Sequence, residues 1–235
     1  MKKDRQTIAF AFKKSLPVMV GYLFLGSAFG IMLFQAGYNF IWAFFISIFV
    51  YAGSMQFMLV SFLSAGTAIP TAAAVTLFVN SRHMFYGLSF IEKFKSMGKR
   101  FFYMIHSLTD ETYTVFCGMK CPKNTDEKKV YFYVALFNHC YWILGGIIGS
   151  LMGQYIPFDF KGVDFSMTAL FTVMLVEQWI QFKTHIPAIV GALSAALFLL
   201  ILGPDAFLLP SLMTTVLVML AFRKPLEETT RKGAK

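Results

Sequence analysis

Charge is what this sequence has least of. Only 14% of its 235 residues are Asp, Glu, Lys or Arg, where a soluble domain carries about 25%. That deficit excludes an ordinary soluble globular enzyme. Cysteine is scarce too, with three residues, Cys117, Cys121 and Cys140. Three cannot all pair, and no His/Cys set has zinc-ligand spacing on both sides, so they read as inert small apolar residues. Catalytic signatures are also missing. There is no GxSxG elbow, no HExxH and no GxxxxGK[ST] loop, so neither an enzyme nor a cofactor or metal site is expected. The apolar stretches lack the period-2 alternation of a membrane β-barrel.

What is there is apolar and aromatic: 57% hydrophobic residues and 17% Phe, Trp and Tyr, with a mean hydropathy of +0.62. The expectation is an all-α, polytopic helical membrane protein. The formal charge of +9 raises the alternative of a nucleic-acid partner. The basic residues, however, sit at Lys2, Lys3, Arg5, Lys13 and Lys14, in 93–100, in 120–129 and in the tail from Arg223. Positive charge confined to loops and ends is the cytoplasmic bias of a cell-membrane protein, with its N-terminus inside.

The chain divides as one integral membrane domain over 1–235. Residues 1–15 form a basic, mildly amphipathic segment suited to anionic lipid. A first half covers 16–118, a second 131–222, and a charged tail 223–235. Candidate spans run over 16–34, 40–63, from 69 to about 80, and over 131–153, 164–182, 186–202 and 206–222, each read against the roughly 20 residues a helix needs. The first run is too long for a signal-peptide core and reads as a retained span. Residues 101–118 resist assignment, because His106, Asp110 and Glu111 interrupt them. If 69–90 and 101–118 both crossed once, the four basic segments could not share one side. One of the two is then re-entrant, or one basic loop lies outside. The expectation is about seven spans with broken or re-entrant segments.

An internal repeat is visible. Tyr22-Leu-Phe-Leu-Gly26-xxx-Gly30 matches Tyr141-Trp-Ile-Leu-Gly145-xxx-Gly149, Met55-Gln-Phe57 matches Glu177-Gln-Trp179, and Thr67-Ala-Ile-Pro70 matches Thr184-His-Ile-Pro187. Duplicated helical units with interruptions at matching places point to a transporter's central site. The glycine rows put small residues on one helix face for close packing, within the chain or against a partner.

Two polar interruptions in greasy sequence carry the functional signal: Tyr51-Ala-Gly-Ser-Met-Gln-Phe57 and Asn80-Ser-Arg-His-Met-Phe-Tyr86. Such side chains in hydrocarbon cost several kcal/mol unless they face protein, water or a ligand. Gly53 and Ser54 either open the helix and expose backbone to a ligand, or leave Gln56 to make a helix–helix hydrogen bond. Arg82, His83 and Tyr86 share about a third of a helix circumference, with Asn80 beside them. Arg82 offers a planar fork for a carboxylate, or else snorkels to lipid phosphate. His83 either carries a proton or is a structural histidine. Asp110 and Glu111 are proton carriers if buried and solvated charges if interfacial. Glu177 is a further proton-coupling candidate, or a charge closing its span near Lys183.

In order and spacing, four motifs resemble the AzlC-type branched-chain amino acid permeases. They are Ser15-Leu-Pro-Val with Gly26-xxx-Phe29-Gly30, Ala52-Gly-Ser-Met-Gln-Phe57, Asn80-Ser-Arg-His-Met-Phe-Tyr-Gly87 and Thr109-Asp-Glu111. The resemblance implies the large subunit of a two-component exporter of leucine, isoleucine, valine and in some members methionine. It also implies a small AzlD-type membrane partner and coupling to the proton motive force. On that reading Gly53, Ser54, Gln56, Asn80, Arg82 and Tyr86 form the substrate site, walled by Phe57 and Phe85. His83, Asp110, Glu111 or Glu177 handles the proton. Rival readings are a permease or importer for another small organic solute, and a non-transporting membrane scaffold.

Overall fold

The structure, a computed structural model, describes residues 2–156, 162, 165–181, 184–203 and 206–221. The charged tail from 223 lies outside them. The helices are α1 (Lys2–Gln35), α2 (Phe40–Phe49), α3 (Gly53–Ala65), α4 (Ile69–Lys95), α5 (Phe101–His106), α6 (Asp110–Gly118), α7 (Glu127–Tyr155), α8 (Phe165–Gln181), α9 (Ile186–Leu202) and α10 (Leu208–Ala221). A 3-10 turn, Gly98–Arg100, precedes α5, and no strand occurs among the described residues. The all-α membrane fold with broken segments therefore holds, and the helices are roughly consistent with about seven spans. By length and composition, α1 and α7 can cross a bilayer alone.

Residues 1–66 and 79–167 form one compact unit, while 67–78 and 168–235 form another. The axis of the first unit is α1 packed parallel to α7. Pairs run in the same order up both helices, from Asp4 with Lys129 to Ser15 with Tyr141 and Tyr22 with Trp142. The glycine rows face each other. A Cβ at Gly26 would lie 3.1 Å from the Gly145 Cα, one at Gly30 would meet the Ser150 amide at 2.6 Å, and one at Gly149 would strike the Ser27 carbonyl. Only hydrogen fits there, so backbone meets backbone and dispersion replaces the missing hydrophobic drive.

α1 has 34 residues, about 51 Å at 1.5 Å per residue. The expected interfacial segment 1–15 and span 16–34 are thus one helix, long enough to project beyond a hydrocarbon core of about 30 Å. At its first turns the basic segments converge. Lys129 bonds Asp4 at 2.6 Å, Asn124 donates to Gln6, the Asp126 amide donates to Thr7, Lys93 bonds Glu127 at 2.7 Å and Lys128 donates to the Ser96 carbonyl. The N-terminal stretch, 93–100 and 120–129 therefore share one basic end. Burial pulls the Lys93 ammonium down, but its bonds to Glu127 and Tyr131 outweigh this and leave it raised.

That convergence resolves the charge conflict, because 101–118 goes in and comes back. α5 starts where Arg100 lies over the Phe132 ring, and α6 returns where Phe116 packs on Tyr131. At 6 and 9 residues, about 9 and 14 Å, neither arm reaches half of a bilayer core of about 30 Å. Segment 69–90, the other re-entrant option, is part of the continuous α4.

A second hairpin enters from the opposite end. Residues 40–63 were expected as one interrupted span, yet α2 and α3 fold back on each other at 50–52. α2 starts just after the C-terminal turn of α1, and Val60, Ser61, Ser64 and Ala65 of α3 return to Met32, Gln35 and Ala36 around a cleft of about 690 Å³. The reversal has an unusual backbone at its tip: Tyr51 takes a φ of +37°, the sole non-glycine positive φ described.

In the second unit, α9 opens at Ile186-Pro187, as α4 opens at Ile69-Pro70, matching one repeat pair. Ser194 donates to the Ser211 carbonyl between α9 and α10, and Trp179 stacks on His185 at 3.9 Å.

Candidate functional site

The two hairpin tips meet against the middle of α7. His106, ending α5, donates from Nε2 to the Ile48 carbonyl at 3.0 Å, and His139 on α7 donates from Nε2 to the Ser47 carbonyl at 3.1 Å. These carbonyls belong to the last turn of α2, which has no intrahelical donor for them. Two imidazoles thus cap a half-helix, the buried His139 and the exposed His106. His139 is fixed as the Nε2–H tautomer when neutral, leaving Nδ1 to accept from Tyr103 at 3.1 Å. Tyr51 stacks on the His139 ring at 4.0 Å.

α3 begins beside this cap. Ala52 supplies no side-chain cap, so the first amides of α3 point into the tip without an intrahelical acceptor. One break therefore presents the carbonyl end of α2 and the amide end of α3 together, a negative and a positive partial charge at one place. Gln56 holds the break in place. Its Oε1 accepts from Trp142 Nε1 at 2.8 Å and its Nε2 donates to Ser47 Oγ at 3.4 Å. Both are buried, and Gly53 lies under the Trp142 ring, 3.2 Å from where a Cβ would be. Ser54 is buried in the same turn.

The α5–α6 hairpin adds a hydroxyl chain and a carboxylate. Tyr22 on α1 donates to Glu111 at 2.7 Å and lies 2.6 Å from Thr109 Oγ1, which donates to Thr112 at 3.0 Å. Asn138 on α7 donates to Thr112 at 3.1 Å. Thr109 also caps α6 by accepting from the Thr112 amide, which is why the Thr-Asp-Glu motif starts a helix. Two oxygens here are left over. The Tyr51 hydroxyl sits beside the Tyr22 and Thr112 hydroxyls and feels the Glu111 charge, yet closes no hydrogen bond of good geometry. Asn138 Oδ1 is likewise buried without a partner.

The second motif keeps its helix. Asn80, His83 and Tyr86 lie on α4, where His83 meets Tyr86 edge-on at 5.7 Å and Tyr86 stacks on Tyr113 of α6 at 4.4 Å. The motif thereby reaches the helix that carries Asp110 and Glu111. Asn80 Oδ1 is buried with no hydrogen-bond partner. The side chains of Arg82, Phe85 and Glu177 lie outside the described residues. Glu177 belongs to α8 in the second unit, whereas the other predicted residues belong to the first.

Sequence reasoning missed Ser47, Thr112, Asn138, His139 and the site roles of Tyr22 and Trp142. The signal that exposed Gln56 was present for Asn138-His139 too, since both stand in the middle of an apolar span.

The matches to known proteins agree with this architecture. The family profile described as AzlC protein matches residues 17–156. The chain is 37% identical over 218 residues, 93% of its length and 86% of the relative's, to the branched-chain amino acid transport protein AzlC of Bacillus subtilis. The chain belongs to the AzlC family. This AzlC chain is also 39% identical to an uncharacterized membrane protein of Helicobacter pylori, over 92% of its length and 95% of the relative's. It is 27% identical to the inner membrane protein YgaZ of Escherichia coli, over 77% and 78%. No solved structure matches it. The residues matched by the family profile contain both hairpin tips and the α7 residues against them.

Proposed function

We propose that this membrane protein is the large subunit of a proton-coupled secondary exporter of branched-chain amino acids. Leucine, isoleucine and valine are the substrates, with methionine next in line. It works in the cytoplasmic membrane beside a small AzlD-type partner, with the basic end in the cytoplasm. Residues 16–118 and 131–222 act as two halves of one membrane domain. The observation that carries the reading is the similarity over 93% of the chain to a branched-chain amino acid transport protein. The opposed half-helices around a polar centre support it, since transporter sites are commonly built from discontinuous helices whose free ends meet the substrate.

In this proposal Gly53, Ser54, Gln56, Asn80, Arg82 and Tyr86 form the substrate site, with Phe57 and Phe85 as apolar wall. Arg82 takes the carboxylate. His83, Asp110, Glu111 or Glu177 carries the coupling proton. Selectivity among the three side chains is shallow, because one methylene is worth about 1–3 kcal/mol. The test is leucine efflux from preloaded cells expressing this chain with and without the small partner. Efflux that needs both and stops with a proton uncoupler is the expected result. Absence of leucine, isoleucine, valine and methionine efflux in both conditions removes the substrate assignment.

A further inference from the structure

The geometry points to a specific seat for the substrate's ammonium group: the Tyr51 hydroxyl and Asn138 Oδ1, at the meeting of the two hairpin tips. The inference rests on the amino-acid reading above but moves the ammonium away from Gln56. Both polar atoms of Gln56 are already engaged, by Trp142 and by Ser47. Tyr51 and Asn138 differ. They are 3% and 0% exposed; Asn138 Oδ1 has no hydrogen-bond partner, and the Tyr51 hydroxyl, beside those of Thr112 and Tyr22, closes no bond of good geometry. A buried oxygen left unpaired is costly, and most such groups in native proteins are paired. Two of them at one place mark a position that something else fills.

The two oxygens belong together. Asn138 donates to Thr112, the Tyr51 hydroxyl sits beside Thr112, and Tyr51 stacks on His139, the neighbour of Asn138 in sequence. Their surroundings select a cationic donor. Asn138 Oδ1 only accepts, and a tyrosine hydroxyl accepts as readily as it donates. The Glu111 carboxylate lies close enough for its charge to be felt at Tyr51. The carbonyl end of α2 adds negative partial charge from the same break. An ammonium offers three donors in a compact shape, suited to two buried oxygens beside Thr112 and a nearby carboxylate. A zwitterionic amino acid seated this way has its carboxylate free to turn toward the amide end of α3, which no side chain of Ala52 caps.

The test compares L-leucine with 4-methylpentanoate, which keeps the branched chain and carboxylate but lacks the ammonium. Both are titrated by scintillation-proximity competition on the purified full chain in lipid nanodiscs. Wild type is expected to prefer leucine at least about tenfold. Asn138→Ala and Tyr51→Phe should each weaken leucine by about tenfold while changing 4-methylpentanoate less than about twofold. Asn138→Asp, which restores an acceptor of the same shape, should recover the preference. Tyr51→Phe removes a single oxygen and keeps the test available if Asn138→Ala does not reach the membrane. An unchanged preference in both variants, or equal loss for both ligands, overturns the ammonium seat and leaves the exporter reading intact. Wild type that binds no branched-chain amino acid overturns the exporter reading and the seat with it.

Discussion

Two motifs that look alike in sequence behave differently in the fold. Residues 51–57 and 80–86 both set polar side chains in apolar surroundings, yet the first reverses the chain and the second leaves α4 unbroken over 27 residues. Polarity is therefore not what breaks a membrane helix. The first motif has Tyr51 at positive φ, Gly53 two residues on, and two histidines ready to bond the carbonyls that the break releases. The second has no glycine before Gly87 and no helix end to cap. A break survives in a membrane where distant side chains replace the lost backbone bonds.

The strongest way to sharpen the contrast is functional. Arg82→Ala in the unbroken motif should abolish leucine efflux while the protein still reaches the membrane; normal efflux would remove Arg82 from the site. Next in size is the support of the broken motif. Gln56→Leu leaves the buried Trp142 N–H without its acceptor, and should cost about 1–3 kcal/mol. In a detergent melt that is several degrees of Tm at roughly 2–4 °C per kcal/mol, and an unchanged Tm would show that the tip does not depend on this bond.

One glycine from each motif then gives a matched pair. Gly53→Ala pushes a methyl to 3.2 Å from the Trp142 ring and should destabilise by about 1 kcal/mol. Gly87→Ala meets nothing within 4 Å in a continuous helix and should stabilise by about 0.5–1 kcal/mol. Equal signs in the two melts would erase the distinction. The smallest effect lies at the basic end. The bond from Lys129 and its charge hold the Asp4 carboxyl below its ordinary value. Its contribution is present above the unfolded value, near 3.9, and is lost as pH falls through the lower folded value. Asp4→Asn should therefore flatten the acid limb of Tm against pH only below about pH 4, and only slightly, because the pair is exposed.

Much of this was readable in advance. The fold class followed from missing charge; the glycine rows read as close packing without a named partner helix, and the conflict among basic loops left a re-entrant segment or an outside loop as the options. The return of 40–63 was not, because 24 mostly apolar residues satisfy the length rule for a span whether or not they turn back. What turns them is Ser47, Gln56 and Trp142 coming together, and Gln56 and Trp142 are 86 positions apart. No local pattern encodes that. Gly53, Ser54, Gln56, Glu111 and Tyr86 stood out as interruptions of apolar sequence. Asn138 and His139 were overlooked inside a segment that read as a plain span.

The same separation gives the hairpin a history. Ribosomes add about 5–20 residues per second, so Gln56 is made roughly 4–17 s before Trp142, its hydrogen-bond donor. Until α7 emerges, the α2–α3 tip has neither the tryptophan nor His139 to hold it, and the α5–α6 hairpin has neither Asn138 nor His139. Both hairpins therefore enter the bilayer unfinished, and the last long helix of the first unit completes them together. Truncations that stop before residue 138 should leave a chain that inserts yet stays open to proteases at 50–52, while those ending after α7 close it.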